Sequence, residues 1–561
     1  MEKLEACIKW LRENDGFIDE RVEFKYTTNT GISAHVKDSV ATDQPLIRVP
    51  ENLLITNEKA QEAFQLGTEV INTDHPNSLL QLYVAKLKFE EDAGSFFKPY
   101  IDLLPLQLEQ PYFWDANDLQ LLKGTDIYLV MKQHLPKLLQ EWTSLLQKLK
   151  IAPSDDLAEL HAPDADLFDY LQKCPPESPK VSWTSFSSYV WAAGIFASRA
   201  FPKIALTNRC LSINEAFLYP IVDLLNHNND TKVKWYSENG QMCFVTQETL
   251  KSGNELFNNY GNKSNEDLLL SYGFVQDNNQ YENSRLTLRL DEQLLSEAVL
   301  HGVALSDERV ADNCVQFKLT KKCLLPENLV QLFAYLHKLK SEEAINLRNT
   351  LEGSDGLHSI LMQKVEFFRN RSKIDASNKR RRTLRKYFDS QRKMFQAVVE
   401  SLQKRQKEIV KSNSPFMTSF KTIYKSDKKF ANSLLLVFGV TKFDDLIIKD
   451  CTRDALLLWI VRIANKESYP RKMEFEVPQF IYDTFQEVSS TIAVERNDVV
   501  EMMPFYKKMF PSLAEKIPEV FSEGNWGIRQ FIVADTVLDR LVWTRKLTQE
   551  PFFIKKHPMA L

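Results

Sequence analysis

The sequence predicts an α+β protein: a β-rich domain split by a helical insertion and followed by an all-α C-terminal domain. Three observations predict it. Strand-like segments lie near residues 22 to 50 and 232 to 290, a long helical block separates them, and the pattern beyond about residue 300 is helical nearly throughout. At 561 residues the chain is too long for one small core, so several domains are expected. The expected divisions are 1–60 for an N-terminal helix and the first part of the β-rich domain, 61–185 for the insertion, 186–295 for the second part, and 296–561 for the C-terminal domain.

Each element follows from local pattern. The opening MEKLEACIKWLREND mixes acidic with apolar residues and reads as an amphipathic helix, not a signal peptide. From Val22 to Pro50 the chain is rich in Val, Thr and Ile with turn residues between, which predicts short strands. Leu79, Leu80, Leu82, Val84, Ala85 and Leu87 fall mostly on one side of a helix. Another helix is expected over Pro136 to Leu149, with the proline in its first turn, and a buried one over SYVWAAGIFASRAF, 188 to 201. KVKWYSENGQMCFVTQ then gives two strand-like arms around Asn239-Gly240, a pair that accepts the positive φ of a tight hairpin. SRLTLRL, 284 to 290, alternates as a half-buried strand. In the C-terminal part, ENLVQLFAYLHKLK has a helical apolar face, and Leu384, Tyr387, Phe388, Met394, Phe395, Val398, Val399, Leu402 and Ile409 line another.

Composition narrows the function. Hydrophobic residues at 43% and charged residues at 26% are those of a soluble globular protein. Lys and Arg total 71 against 75 acidic residues, so the net charge of -4 gives no global attraction to nucleic acid or membrane, and neither direct nucleic-acid specificity nor membrane binding is expected. The seven cysteines are odd in number and never spaced CxxC, which fits a reducing compartment. No apolar run approaches the ~18 residues of a membrane span. The cytoplasm is the expected location, with the nucleus as a second one. None of the sixteen glycines stands as GxG or in a P-loop, and the nine histidines form no HExxH or HxxxH pair, so nucleotide folds built on those motifs and a helix-borne metal site are not expected.

Two polar knots remain, PIVDLLNHNND (220 to 230) and FNNYGNKSN (257 to 265). By residue type alone, Asn226 to Asp230 stop a short helix or strand, because Asn and Asp tolerate turn geometry and bond their own backbone. Taken with SRAF (198 to 201), ELFNNYGNKSNEDLLLSYGFV (255 to 275) and SFFKPYIDLLPLQLEQPYFW (95 to 114), however, the chain resembles the SET-domain protein methyltransferases of the Rubisco large-subunit methyltransferase type. The resemblance implies a β-rich SET fold with a helical insertion, a helical C-terminal substrate-binding domain, and protein-lysine N-methylation from S-adenosyl-L-methionine.

It also implies site residues. Asn226 and His227 match the family's cofactor-binding pair, joined by Arg199, Tyr260 and Gly31. Tyr260 matches the active-site tyrosine, on a segment that passes beneath a loop near Asn226, an exception to the rule against threaded loops. Tyr272 and Phe274 match the aromatic lysine channel, to which Asp223, Arg199 and Trp235 contribute. Plainer readings stand beside these: core packing for Tyr272 and Phe274, a buried ion pair for Arg199 with Asp223, and a hairpin core position for Trp235. Lys203 is a weaker match. The family's EGxGL-like cofactor stretch is here TTNTGISA, where Gly31 alone keeps the pattern and Thr28 and Thr30 offer hydroxyls.

KVKWYSENG after DLLNH, and LWIVRIANKESYP (458 to 470), place the chain nearest the fungal ribosomal lysine methyltransferases. That implies a large-subunit ribosomal protein as substrate. A translation elongation factor is the near alternative, histidine methylation a second, and a non-catalytic helical binding scaffold a third. From Arg369 to Lys393, eleven Lys or Arg face two Asp, readable as a solvated helix face, an import signal or a contact to RNA-bearing assemblies.

Overall fold

A computed structural model describes residues 1–27, 31–66, 75–90, 96–207, 212–471, 473 and 475–557. The chain forms two units, one of Met1–Ser284 with Phe368–Arg392, the other of Arg285–Phe367 with Lys393–Leu561.

The first unit opens with helix α1 (Glu2–Glu13), which buries Leu4, Cys7, Trp10 and Leu11, the apolar face its spacing predicts. Strands β1 (Phe17–Ile18), β2 (Val22–Thr27), β3 (Gly31–Val36) and β4 (Pro45–Pro50) follow. β2 and β3 form an antiparallel ribbon from Val22 opposite Val36 to Thr27 opposite Gly31; Thr28 and Thr30 lie outside the described residues. The insertion is helical: α2 (Asn57–Ala63), α3 (Ser78–Phe89), α4 (Lys98–Leu103), α5 (Ala116–Leu122), α6 (Asp126–Leu149), α7 (Leu157–Leu160), α8 (Leu167–Lys173) and α9 (Phe186–Arg199). After it come β5 (Ala200–Pro202), β6 (Ala216–Leu218), β7 (Val233–Glu238), β8 (Gln241–Thr246) and α10 (Asn265–Tyr272). A four-stranded sheet has the order β1-β4-β8-β7, with β4 antiparallel to β8. The β7–β8 hairpin turns at Asn239 (φ 51°) and Gly240 (φ 74°), both in the left-handed region that this dipeptide favours.

One boundary differs from expectation. α6 starts at Asp126, not at Pro136, and Pro136 sits inside it. Thr125 caps the helix, its hydroxyl accepting from the Tyr128 amide at 3.4 Å, and Ile127, Met131, Leu135, Leu138, Leu139 and Trp142 are buried on both sides of the proline. That continuous apolar face outweighs the ~3 kcal/mol an interior proline costs.

The basic run lies mostly in the first unit, on helices Leu347–Arg371 and Lys379–Ser412. Its side chains meet acidic groups and carbonyls of the same unit. Arg371 donates to the carbonyls of Gln120, Leu121 and Lys123 at the end of α5. Arg380 lies 3.5 Å from Glu109, Arg381 3.4 Å from the buried Asp118, and Lys386 2.7 Å from Asp277. Pairs open to solvent are individually weak, and these engage α5, the loop before it and the loop after α10.

The second unit is helical apart from short strands, among them Met417–Ser419, Val542–Arg545 and Glu550–Ile554, which form one antiparallel sheet. Its core gathers on helix Thr452–Ala464, whose Leu458, Trp459, Ile460 and Val461 are buried against Phe485, Phe531 and Phe553 among others. Inside this apolar core Arg462 Nε donates to Asp427 Oδ2 at 2.9 Å, and Asp427 Oδ1 accepts from the Phe430 amide at 3.1 Å, capping helix Lys428–Phe438. Both side chains are almost wholly buried. Replacing only the cation, Arg462→Met, strands a buried carboxylate and is expected to lower stability by about 3–5 kcal/mol, read by urea unfolding. The double variant Arg462→Met/Asp427→Asn should recover much of that loss.

Candidate active site

Ile221 sets the local geometry. It has φ 71° and ψ -46°, a strained γ-turn in which the Val222 amide donates to the Pro220 carbonyl at 2.9 Å, immediately before a single 3-10 turn at Val222–Leu224. That bend throws the next residues against a distant segment. The Asn258 amide donates to the Asn226 carbonyl at 2.7 Å and the Asn228 amide to the Asn258 carbonyl at 3.0 Å, so His227 and Asn258 pair in parallel. The two polar knots of the sequence are thus one structure.

Side chains complete it. The Tyr260 hydroxyl donates to the Leu225 carbonyl at 2.8 Å, and the Tyr260 amide donates to His227 Nδ1 at 3.0 Å. The imidazole stacks on the Tyr260 ring at 4.8 Å, and Tyr260 stacks in turn on Tyr272 at 4.6 Å, each pair tilted by 16°. Phe274 closes the row, edge-on to Tyr272 at 6.1 Å. Tyr272 ends α10, which opens with a capping box of Ser264 and Asp267, and Gly273 supplies the left-handed residue that turns the chain toward Phe274. Burial, reinforced by Tyr272, pushes the Tyr260 phenol well above its usual range, and burial pushes Tyr272 up to about 12. Burial also draws His227 below its ordinary 6.5, although its hydrogen bond to Asn229 acts the other way.

Arg199, the last residue of α9, and Asp223 form a buried ion pair. Arg199 Nη1 lies 3.0 Å from Asp223 Oδ2 and 3.2 Å from the Asp223 carbonyl, and the Tyr100 hydroxyl donates to the same Oδ2 at 3.0 Å. The Asp223 side chain is fully buried, Arg199 is 21% exposed, and among the described residues Asp223 Oδ1 has no hydrogen-bond partner. Burial raises the Asp223 carboxyl against the opposing pull of Arg199.

Gly31 begins β3 at φ 71°, and among the described residues no atom lies within 4 Å of where a Cβ would stand. β3 pairs with the stretch just before the second knot, Leu256 donating to the Ala34 carbonyl at 2.7 Å, and Glu255 accepts from Asn226 Nδ2 at 2.8 Å. Asn226, His227, Tyr260, Tyr272 and Phe274 are therefore contiguous, with Arg199 and Asp223 paired beside them on the chain that leads into Leu225. Trp235 is placed by other contacts, opposite Phe244 in the hairpin and edge-on to Phe201 at 5.2 Å. Lys203 pairs with Glu58 and Glu215.

Sequence reasoning missed Tyr100, Glu255, Asn229 and Asn279. Tyr100 and Glu255 stand inside the runs that carry the family resemblance, yet no spacing relates Tyr100 to Asp223, 123 residues away. Among the described residues no cluster of His, Cys, Asp or Glu could hold a metal, and no helix is long and apolar enough to cross a membrane.

The chain is similar to known proteins. Residues 36–261 match the SET domain family and residues 283–413 the EFM1 middle domain. The Saccharomyces cerevisiae protein-lysine N-methyltransferase EFM1 is 45% identical over 99% of this chain and 98% of its own. Ribosomal lysine N-methyltransferase 1 of the same yeast is 29% identical over 85% of this chain and 89% of its own. A crystal structure of the SET domain of LSMT bound to lysine and AdoHcy covers 73% of this chain and 92% of its own at a TM-score of 0.53 and 17% identity, a likeness of fold.

The depressed His227 has a measurable sign. Between its folded value and 6.5 the unfolded state binds more protons, so His227 adds stability above about pH 6.5 that is lost as pH falls through the folded value. Unfolding free energy is expected to drop more steeply from about pH 7 to 5 in the native protein than in His227→Gln, which cannot titrate there.

Proposed function

This chain belongs to the SET-domain protein-lysine methyltransferases and uses S-adenosylmethionine to methylate lysine, and we propose that the joined knots around Tyr260 are its active site and a translation elongation factor its substrate. The observation that carries the site is the row His227, Tyr260, Tyr272 and Phe274, pinned by the hydrogen bond from Tyr260 to the Leu225 carbonyl. Support for the substrate is the order of the relatives: EFM1 stands at 45% identity over 99% of this chain, while two relatives named for ribosomal lysine methylation stand at 29% and 26%. The ribosomal reading is correspondingly the weaker of the two.

The residues fit the cofactor. Gly31 leaves open space where a side chain would stand, and the half-buried Asn226 and the Glu255 carboxylate offer the donors and acceptors that an amino-acid end requires. Asn226, His227 and Gly31 would hold it, with the Arg199–Asp223 pair fixing the backbone that leads into Leu225. When bound, S-adenosylmethionine supplies an electrophilic methyl group on a sulfonium. The protein's own share is to align a lysine amine and keep it neutral. Tyr260 does not take the proton, because its raised pKa leaves a neutral phenol at working pH. Its hydroxyl hydrogen is committed to Leu225, so its oxygen lone pairs are the part left to orient an amine. Tyr272 and Phe274 desolvate that amine and favour its uncharged form, whose free pKa is about 10.4.

The test combines substrate and residue. Purified protein with methyl-labelled S-adenosylmethionine is given elongation factors and, separately, ribosomes from cells lacking it, and label is located by mass spectrometry. Label on a lysine of an elongation factor is expected; label confined to a large-subunit ribosomal protein would replace the substrate assignment and leave the site standing. Tyr260→Phe should lower transfer by about 100-fold with little change in cofactor affinity.

A further inference from the structure

The His227 imidazole is held at both nitrogens. Nδ1 accepts from the Tyr260 amide at 3.0 Å, and Nε2 lies 2.8 Å from Asn229 Oδ1. A backbone amide can only donate, so Nδ1 must be bare and Nε2 must carry the proton. The orientation of Asn229 is fixed independently. Its Nδ2 donates to Asn279 Oδ1 at 3.0 Å and Gln276 Oε1 at 2.5 Å, and Asn279 Nδ2 donates to the Lys263 carbonyl at 2.8 Å. Lys263 sits three residues beyond Tyr260, so the relay from the Lys263 carbonyl through Asn279, Asn229 and His227 to the Tyr260 amide starts and ends on the same loop. Both of its ends are backbone groups whose roles cannot be exchanged, so every amide between them has one orientation. Asn229 and Asn279 are each more than nine-tenths buried, where a reversed amide would set like against like and leave buried groups unmet.

We propose that Asn229 is a positioning residue for methyl transfer: it locks His227 in the Nε2–H tautomer and so holds the Tyr260 backbone beneath the imidazole. The proposal rests on the reading of Tyr260 given above, but its first test needs no substrate. Protonating His227 would put a hydrogen on Nδ1, facing the Tyr260 N–H, and break that contact. The charged groups around the pair are Lys263 on the same loop, Glu255 before it, and Arg199 with Asp223 facing Tyr260. Lys263 opposes a second positive charge on the imidazole. A carboxylate at position 229 would invite one.

With histidines labelled by 15N in the native protein, long-range correlation spectra should show His227, identified by the signal lost in His227→Gln, as the Nε2–H tautomer; an Nδ1–H or averaged imidazole overturns the proposal. In Asn229→Ala only the Tyr260 amide is left to select the tautomer, so an Nδ1–H form should appear beside the Nε2–H form, with kcat falling between about 10- and 100-fold and KM for S-adenosylmethionine moving less; a folded Ala variant with tautomer and kcat both unchanged overturns the proposal. In Asn229→Asp the acid limb of the kcat profile should move to higher pH, with activity recovered above it. A folded Asp variant whose acid limb stays where the native one lies overturns the proposal. Should the Ala variant fail to fold, the native tautomer and the Asp variant's profile decide. A native imidazole of the wrong tautomer leaves the substrate assignment intact, and a different methylated protein leaves the tautomer intact.

Discussion

The site depends on two backbone hydrogen bonds, from Asn258 to Asn226 and from Asn228 to Asn258. They hold together segments separated by the whole β7–β8 hairpin, and every other contact of the site is built on that registration. Were they absent, Tyr260 could not reach the Leu225 carbonyl and its amide could not meet His227. Loop closure over this length costs only a few kcal/mol and grows slowly with length, so the hairpin between the knots could be longer or shorter without disturbing them. What cannot vary is the polarity of the paired strands. A parallel pairing this short leaves backbone groups on both sides unmatched, and these must be met by side chains or water.

That requirement explains the asparagines. An amide side chain offers donors and an acceptor within one small planar group, so it can satisfy an N–H and a C=O of neighbouring backbone at once. Asn259 does this directly: Nδ2 reaches the carbonyls of Asn229 and Thr231 at 3.2 and 3.0 Å, while Oδ1 accepts from Gly261 at 2.9 Å. Asn265 does the same deeper in, joining the Gln276 carbonyl to the Glu282 carboxylate. The knots read as turn stops when taken singly because Asn serves turns for the same reason. Their joint use is a buried network, which rigidifies only when complete.

The sequence made the periodic parts legible and left the long-range ones dark. Asn239-Gly240 announced its hairpin because the dipeptide carries its own backbone preference, and the apolar spacing at Leu79 to Leu87 announced α3 because nothing contradicts it. Pro136 misled in the other direction: a local rule about proline yielded to burial over the whole length of α6, which no short window reveals. The order of NH, NNYG and YGFV pointed to the chemistry, but the pairing of Arg199 with Asp223 could not be told from a cofactor contact by residue type. The basic run was ambiguous for a like reason. Its neighbours, Glu109, Asp118 and Asp277, are far away in the chain, and a cluster of lysines and arginines looks the same whether or not acids await it.

The insertion is bound to the same residues by contacts of its own. Tyr100 of α4 donates to Asp223, within two residues of the strained Ile221. Gln110 donates to the carbonyls of Gly194, at 2.7 Å, and Ser271, beside Tyr272. Glu109 packs so close to Gly273 that a Cβ there would stand 2.5 Å from it, and Gly273 is also at φ 76°, so only glycine serves on both counts. Each of these contacts comes from the 95 to 114 run, far from its partner in the chain. A shift in the insertion would therefore be felt at Ser271 and Gly273, on either side of Tyr272, while the backbone pairing of Asn226 and Asn258 kept its registration.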